Sequence, residues 1–336
     1  IGFFRDGAEV VLLPDDKVAV FPFENLTGDP ELEELGKITA HHVVAGLSWT
    51  EDVRVAAASA LIRDMERAAA SASEQEVAGL HQAGVMVTGI ITREQDELLL
   101  QASITRVSTG EVLTTVEERG PLALEGRMVG PDRLRQRIMG AMALHLDDTH
   151  RVGLSNPPSY ESYRGFLRCD EIFLAGLFAE AVTQCTETAA LDSTFTAPLS
   201  LVFAAYVRLN RPQEADSVLR ILETRRHLMT PTDLLTYEVN RAWLAGDWLG
   251  TLPPLRVLLD QDPRNATYFA TYAMIAGRPR EALDALSAGR REGLQPETAD
   301  LNDYILLFES SWANLVLGQY EEALDDVREG RTLFSQ

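Results

Sequence analysis

The chain has 336 residues, 46% of them hydrophobic, and its 51 acidic against 30 basic side chains give a formal charge of −21. Binding of DNA or RNA depends chiefly on cationic contacts to phosphate, so this acidic balance argues against a nucleic-acid partner. The sequence contains no run of about 18 consecutive apolar residues and therefore predicts no membrane-spanning helix.

The first residues indicate a sequence that begins inside a longer protein. Ile1 stands where a natural start has Met, and the apolar run Ile1-Gly-Phe-Phe leads directly to the charged pair Arg5-Asp6. We expect a missing N-terminal part, which would hold any catalytic or membrane-spanning portion. Residues 1–14 are assigned to an N-terminal extension.

Residues 15–148 predict an α/β domain with a mixed sheet and flanking helices. A short apolar strand at 17–23 ends in a turn-rich segment, after which Pro30 and several glutamates open a helix that reaches about Leu47. Strands are also predicted at 53–57 and 85–91, helices at 60–70, 74–82 and 132–146, and a hairpin at 98–117. Residues 149–158, with two prolines, are predicted to link this domain to the next.

Residues 159–336 contain five copies of a short turn pattern in which a glycine or asparagine comes first and Glu-Ala usually closes the pattern. The copies are 34, 36, 31 and 41 residues apart and begin at Gly176, Asn210, Gly246, Gly277 and Gly318. A period near ~34 with such a turn is typical of stacked helix pairs of the tetratricopeptide type. The sequence therefore predicts an all-α tetratricopeptide-repeat solenoid of about five helix pairs.

Two positions of this turn pattern, the leading residue and the alanine, have residue types that the helix pair requires. The leading residue can take the left-handed conformation that ends a first helix. The alanine is small because the two helices of a pair cross there, and it recurs as Ala181, Ala215, Ala282 and Ala323. In the third copy Thr251 takes this place, and the prolines that follow predict a second helix that begins near Pro253.

The two cysteines, Cys169 and Cys185, lie at similar distances on either side of the Gly176 turn. Antiparallel helices joined at this turn would bring them within disulfide reach, about 5.5 Å between Cα atoms. Two buried free thiols fit the pattern equally well. A disulfide would indicate an oxidising compartment.

The first helices of such an array line its inner surface, where we predict partner-binding residues. These positions are Tyr163, Phe166, Phe173, Asn240, Trp243, Arg264, Met274, Phe308 and Trp312. Exposed aromatic and aliphatic side chains suit an apolar or basic peptide, or another domain of the same protein. As an alternative, several of these aromatics are buried between repeats, or the final repeat covers them against a second copy of the chain.

Two stretches of the first domain carry a family pattern: KVAVFPFENLTGDPELEELG from Lys17 and GVMVTGIITREQDELLLQASITRVSTGEVL from Gly84. They resemble the TolB N-terminal-like domain over about residues 15–120. The resemblance, with repeats downstream, implies the C-terminal, often extracytoplasmic, region of bacterial serine/threonine kinases, adenylate cyclases or winged-helix regulators. The chain departs from the family after the hairpin, where Val116-Glu-Glu-Arg-Gly120 replaces a Trp-Ala-Glu-Arg-Tyr-like stretch.

The sequence predicts no catalytic, cofactor or metal site, because its histidines and cysteines lack ligand spacing and no nucleophile is paired with a base. We therefore expect a non-catalytic sensory or protein-interaction module of a bacterial signalling protein, with a protein or peptide partner. The alternative is a scaffold or assembly subunit that uses the repeats for docking or self-association. The expected location is the periplasmic side of a bacterial inner membrane, with membrane contact only through a missing N-terminal segment; the alternative is cytoplasmic.

Overall fold

The structure is a computed structural model that describes residues 13–50, 52–68, 72–147, 156–290, 299 and 301–334. The chain divides into two compact units, the first ending at Pro198 and the second beginning at Leu199. Most of the predicted extension at 1–14 and most of the predicted linker at 149–158 lie outside the described residues.

Six strands form one mixed sheet in the described part of the first unit. They are β1 (Lys17–Val20), β2 (Glu24–Asn25), β3 (Arg54–Val55), β4 (Val85–Glu94), β5 (Glu97–Arg106) and β6 (Val112–Pro121). β1 lies between β3 and β4 and is parallel to both, and β2 also pairs in parallel with β4. The β4–β5 and β5–β6 pairs are antiparallel, so the mixed sheet predicted from the sequence is confirmed.

Helices cover both faces of this sheet. They are α1 (Glu33–Leu47), α2 (Ala58–Ala68), α3 (Glu74–Leu80) and α4 (Val129–Leu146). Successive side chains of a strand point to opposite faces, and in β1 Val18 and Val20 belong to the core formed with α1 and α4. Ala19 belongs to the second core, formed with α2 and α3. The alternating strand and helix pattern therefore builds two apolar layers around one sheet.

Two details of this sheet differ from the sequence prediction. β4 runs to Glu94 and the chain turns at Gln95, whose φ of 56° lies in the left-handed region, so β4 and β5 form a hairpin, whereas the sequence prediction had a separate strand at 85–91. β2 was not predicted. Its two residues are extended because they pair with Ile90 and Ile91 of β4, a long-range contact that local sequence does not encode.

Ten helices in five antiparallel pairs follow in the described part of the chain. They are α5 (Tyr160–Leu174), α6 (Phe178–Leu191), α7 (Ala197–Arg208), α8 (Pro212–Thr224), α9 (Pro231–Leu244), α10 (Leu252–Gln261), α11 (Ala266–Ile275), α12 (Pro279–Gly289), α13 (Leu301–Val316) and α14 (Tyr320–Phe334). The predicted tetratricopeptide-type pairs are confirmed.

The turn pattern acts as predicted in each pair. The leading residue has a positive φ, between 55° and 78°, at Gly176, Asn210, Gly246, Gly277 and Gly318. The small residue at the helix crossing is buried in all five pairs: Ala181, Ala215, Thr251, Ala282 and Ala323. In the third pair α10 begins at Leu252, directly before the predicted Pro253.

The first helix pair belongs to the same compact unit as the α/β domain, which places the division of the chain about 40 residues beyond the predicted linker. Arg137 of α4 explains this packing. Its guanidinium donates to the carboxylate of Glu118 at 2.9 Å, to the carbonyl oxygen of Pro157 at 2.7 Å and to the hydroxyl of Thr194 at 3.0 Å. Asp192, at the end of α6, also pairs with Arg137, at 3.0 Å.

Cys169 of α5 and Cys185 of α6 form a disulfide, with their Cα atoms 5.3 Å apart. Both residues are fully buried. The bond therefore joins the two helices of the first pair in the interior of the unit.

Candidate functional site

The predicted partner-binding residues of the first unit lie mostly in its core. Tyr163 and Phe166 are buried, and Phe166 packs edge-on against Phe195 with ring centroids 5.4 Å apart. Burial raises the pKa of the Tyr163 hydroxyl, and its hydrogen bond to Asp147 raises it further. Phe173 is half-buried and packs edge-on against Phe178. Tyr163 and Phe166 are therefore packed in the interior of the unit, although Tyr163 also borders a cavity of about 720 Å³ whose lining includes Trp49 and Arg164.

In the second unit the predicted residues fall into two groups, and the first group makes contacts within the chain and has only Arg264 exposed. Asn240 and Met274 are buried, and Met274 belongs to the core of the stacked helices. Trp243 is half-buried and packs edge-on against Trp248, with centroids 5.7 Å apart. Arg264 is exposed, but its guanidinium is held at 2.8 Å by Asp262. Met274 is covered by neighbouring helices of the stack, whereas Trp243 is partly covered and Arg264 is not.

Phe308 and Trp312 form the second group, and they are exposed at 56% and 41% of their surface. They line an apolar groove of about 520 Å³ between α13 and α14, which we call the α13–α14 groove. Its lining residues are Phe308, Ser311, Trp312, Leu315, Tyr320, Ala323, Leu324 and Val327. The groove brings two of the nine predicted residues together with a set of residues that the sequence prediction did not include.

The missed residues belong to the second helix, α14. Tyr320, Leu324 and Val327 lie one helical turn apart on one face, and all three are exposed. The prediction considered only first helices as surface-lining elements. The sequence carried a signal for Leu324 and Val327. They are the sixth and ninth residues after the turn glycine, and both of these positions are apolar in the third, fourth and fifth copies.

The other repeats of this unit bury the equivalent position under the helix pair that follows. Val327 is the ninth residue after the turn glycine and is 56% exposed. At the same place in the other repeats of this unit the exposed fraction is between 0% and 6%, at Leu219, Leu255 and Leu286. In those repeats the second helix contacts the first helix of the next pair, as α12 contacts α13. The α13–α14 groove is therefore a stacking face that no described residue covers.

A buried polar network holds the two helices of the groove in a fixed relation. Asp326 of α14 is buried and accepts hydrogen bonds from the Ser310 hydroxyl at 2.7 Å and from the Asn314 amide at 3.0 Å. Arg290, which follows α12, donates to the same carboxylate at 3.1 Å. These hydrogen bonds join α13 to α14, so the two helices that form the groove are held together without a bound partner.

The groove offers shape and apolar surface, not reactive groups. Ser311 is its one polar lining residue, and the Ser311 hydroxyl donates to the carbonyl oxygen of Phe308 at 2.8 Å. Nearby, burial raises the pKa of Glu309, although the Thr271 hydroxyl donates to this carboxylate at 3.0 Å. Among the described residues, no group of three or more His, Cys, Asp or Glu side chains is arranged to hold a metal ion. No described helix is both long and apolar enough to cross a bilayer.

Neither a family model nor a curated protein matches this chain. Three solved structures illustrate the similarities that were found. A Podosopora anserina putative kinesin light chain with TPR-like repeats is 16% identical, with 52% of this chain and 96% of that chain covered and a TM-score of 0.38. YrrB, described as a TPR protein with an unusual peptide-binding site, is 15% identical, with 51% and 86% covered and a TM-score of 0.31.

The third is the C-terminal domain of LpoB from Salmonella enterica, which is 13% identical, with 31% of this chain and 82% of that chain covered and a TM-score of 0.26. These identities and TM-scores are too low to carry an argument about partner or activity. The α13–α14 groove therefore has to be interpreted from its own geometry.

Proposed function

We propose that this protein is a non-catalytic interaction module that docks a protein or peptide partner in the α13–α14 groove. The observation that carries the proposal is the exposure of a stacking face whose counterparts in the same unit are buried: 56% at Val327 against 0% at Leu255 and 1% at Leu286. Contiguous exposed apolar side chains with a polar surrounding are a feature of interaction sites.

The composition of the groove supports binding through a few strong contacts. Trp and Tyr are the residues most enriched among those that dominate binding energy, and the groove has Trp312 and Tyr320. Complete burial of one large apolar side chain contributes about 1.5–3 kcal/mol. Since the helices are already held by the Asp326 network, a partner would not have to order them first.

The wider context proposed for the module is a bacterial signalling protein, and this part rests on the TolB-like resemblance of residues 15–120. An extracytoplasmic position is also proposed, and it is supported by the disulfide between Cys169 and Cys185, since such bonds persist in oxidising compartments. The formal charge of −21 favours a protein partner over a nucleic acid.

A scaffold or assembly subunit is the second candidate. It is favoured by the same observation, because a stacking face of a repeat array matches another helix pair of the same kind. The two candidates differ in the occupant of the groove, which is either a separate partner or another copy of the chain.

The proposal is tested by affinity capture from a lysate of the source organism, with bound proteins identified by mass spectrometry. The test variant is Phe308→Ala/Trp312→Ala, and the matched control is Ile221→Ala/Val257→Ala, which removes two apolar side chains of similar exposure from α8 and α10. We expect a protein that wild type and control retain and the groove variant loses. Equal retention by all three chains would contradict the proposal.

A further inference from the structure

We propose that the first unit binds a small alkylammonium ion in the cavity that Trp49 and Tyr163 border, which we call the Trp49 cavity. Its volume of about 720 Å³ lies within the range of small-molecule sites, about 300–1,000 Å³. The cavity lies between the segment that follows α1, the end of α4 and the first half of α5, all within one compact unit. This inference does not depend on the α13–α14 groove.

The first argument is the pair of aromatic rings, Trp49 and Tyr160, that line the cavity without being fully buried. Trp49 follows the end of α1 by two residues and is 80% exposed. Tyr160 is half-buried, and the guanidinium of Arg164 lies over its ring, 5.9 Å from the centroid. Aromatic faces attract cations, and the indole of Trp attracts them most strongly. One ring of the cavity therefore already holds a cation of the chain, and the other has its face open to a ligand.

The second argument is the charge of the lining side chains. Asp16, Asp52 and Asp147 line the cavity, and Arg164 is the one cation among the described lining residues. Arg54 holds Asp16 with two hydrogen bonds, at 2.8 and 2.7 Å, and so neutralises that carboxylate. Asp52 is exposed and makes no hydrogen bond or ion pair with another described residue. Its carboxylate is therefore open to the positive charge of a ligand that rests on Trp49.

The helix ends at the cavity agree in sign with these side chains. α1 ends at Leu47, close to Trp49, and α4 ends at Leu146, which lines the cavity. The C-terminus of a helix carries a partial negative charge that favours a cation. α5 begins at Tyr160 and brings a positive end, which Glu161 in its first turn offsets. Two negative helix ends therefore face one positive end that is already compensated.

The remaining lining distinguishes an alkylammonium ion from a metal ion. Apolar side chains, among them Leu146 and Leu167, suit the alkyl body of an organic cation. A metal ion would need several converging ligands, and the described residues contain no group of three or more His, Cys, Asp or Glu arranged to hold one. Aromatic faces, an open carboxylate and an apolar wall together match a positively charged amine with carbon substituents.

Isothermal titration calorimetry of the whole chain tests the proposal with choline and n-butylammonium as probes. The matched controls are their uncharged counterparts, 3,3-dimethylbutan-1-ol and butan-1-ol. We expect at least one cation to bind about tenfold more tightly than its alcohol, because only the cation gains the aromatic and carboxylate contacts. Tighter binding of choline would indicate a free quaternary amine as the natural ligand, and tighter binding of n-butylammonium a primary amine such as a lysine side chain.

Three variants then locate the site. Trp49→Ala and Asp52→Asn should each weaken binding of the cation about fivefold. Both residues are exposed, so these variants should keep the fold, which circular dichroism checks. Arg164→Gln should strengthen binding about threefold, because it removes a competing cation and uncovers the ring of Tyr160. Trp312→Ala, a tryptophan of the second unit, is the matched control and should leave the dissociation constant unchanged.

Several results would overturn the inference. Neither cation binds, or each alcohol binds as tightly as its cation, which would show an apolar cleft without preference for charge. A dissociation constant that Trp49→Ala and Asp52→Asn leave unchanged would place the ligand elsewhere on the chain. Weaker binding by Arg164→Gln would show that this guanidinium holds a negative group of the ligand, which contradicts the charge assigned to the site.

Discussion

At the level of single residues, the turn between paired helices depends on a left-handed backbone. Gly277 has φ +71° and the space around its Cα is empty, since a Cβ built there would meet no atom within 4 Å. A side chain at this position would therefore be disfavoured by backbone conformation alone, without a steric clash. The same argument explains why Asn210, the non-glycine residue that most readily adopts this conformation, replaces glycine in the second pair.

Gly277→Ala should lower the free energy of unfolding by about 1 kcal/mol. Gly79→Ala is the matched control, because Gly79 lies in α3, also has no atom within 4 Å of its Cβ position and does not have a positive φ. The control should raise the free energy of unfolding by about 0.5 kcal/mol, since alanine is the better helix former. Urea unfolding followed by circular dichroism measures both, and the same sign for both would contradict the conformational explanation.

Asp192 is a second residue whose contribution to the free energy of unfolding can be measured. Burial by itself would raise the pKa of Asp192, but the hydroxyl of Thr194 and the guanidinium of Arg137 outweigh burial and hold this pKa below its ordinary value of 3.8. A carboxyl whose pKa is lower in the folded protein stabilises that protein above the ordinary pKa. This stabilisation is lost as the pH falls through the folded-state pKa.

Asp192→Asn should therefore lower the free energy of unfolding by about 2 kcal/mol at pH 7. The difference from wild type should shrink as the pH falls from 7 towards about 2, because the wild-type carboxyl loses its charge as the pH falls through its folded-state pKa. Urea unfolding at the two pH values measures this difference, with the exposed Asp216→Asn as a control that should change little at either pH. A difference that does not depend on pH would show that the charge of Asp192 does not contribute.

At the level of elements, the helix pair is the unit that the sequence predicts best. The turn residue, the small residue at the crossing and the start of the second helix were all found where the pattern of Gly277, Ala282 and their equivalents places them. These features are local, because each depends on residues within about ten positions of the turn. The pairing of β2 with β4 and the contacts of Arg137 join residues far apart in the chain, and the sequence alone did not predict them.

The crossing alanine can be tested by enlarging it. Ala282→Leu should force α11 and α12 apart and lower the free energy of unfolding by about 2 kcal/mol, because Ala282 is fully buried between them. Ala288→Leu, on the exposed side of the same helix, provides the control and should change stability by less than about 0.5 kcal/mol. Equal effects on urea unfolding would contradict the assignment of Ala282 to the crossing.

The disulfide between α5 and α6 gives a prediction for the first pair. Cys169 and Cys185 are separated by 16 residues, and closing a loop of this size stabilises a folded chain by about 3 kcal/mol. The double variant Cys169→Ala/Cys185→Ala should therefore unfold at lower urea concentration, and a reducing agent should shift the wild type in the same direction. Wild type that is insensitive to the reducing agent, with two titratable thiols after unfolding, would show that the bond does not form.

At the level of the whole molecule, the sequence predicted the two kinds of architecture but only part of the candidate site. Phe308 and Trp312 were placed on a surface correctly, whereas Tyr163, Phe166, Asn240 and others are buried or half-buried. Helical periodicity shows which side chains share a face, and all repeats have such a face. It does not show which of these faces another helix covers, and that depends on the stacking of the pairs in space. The exposure of Leu324 and Val327 on α14 therefore appeared only with the structure.

Hydroxyl-radical footprinting of the groove side chains, with and without its occupant, tests most directly whether the α13–α14 groove is a docking surface. Phe308, Trp312 and Tyr320 should be oxidised readily in the dilute chain and become protected when a captured partner or a second copy is present. Trp49, which is 80% exposed in the first unit, serves as the internal reference and should not change. Unchanged oxidation of the groove residues in the complex, with protection elsewhere on the chain, would contradict the assignment of the groove as the binding site.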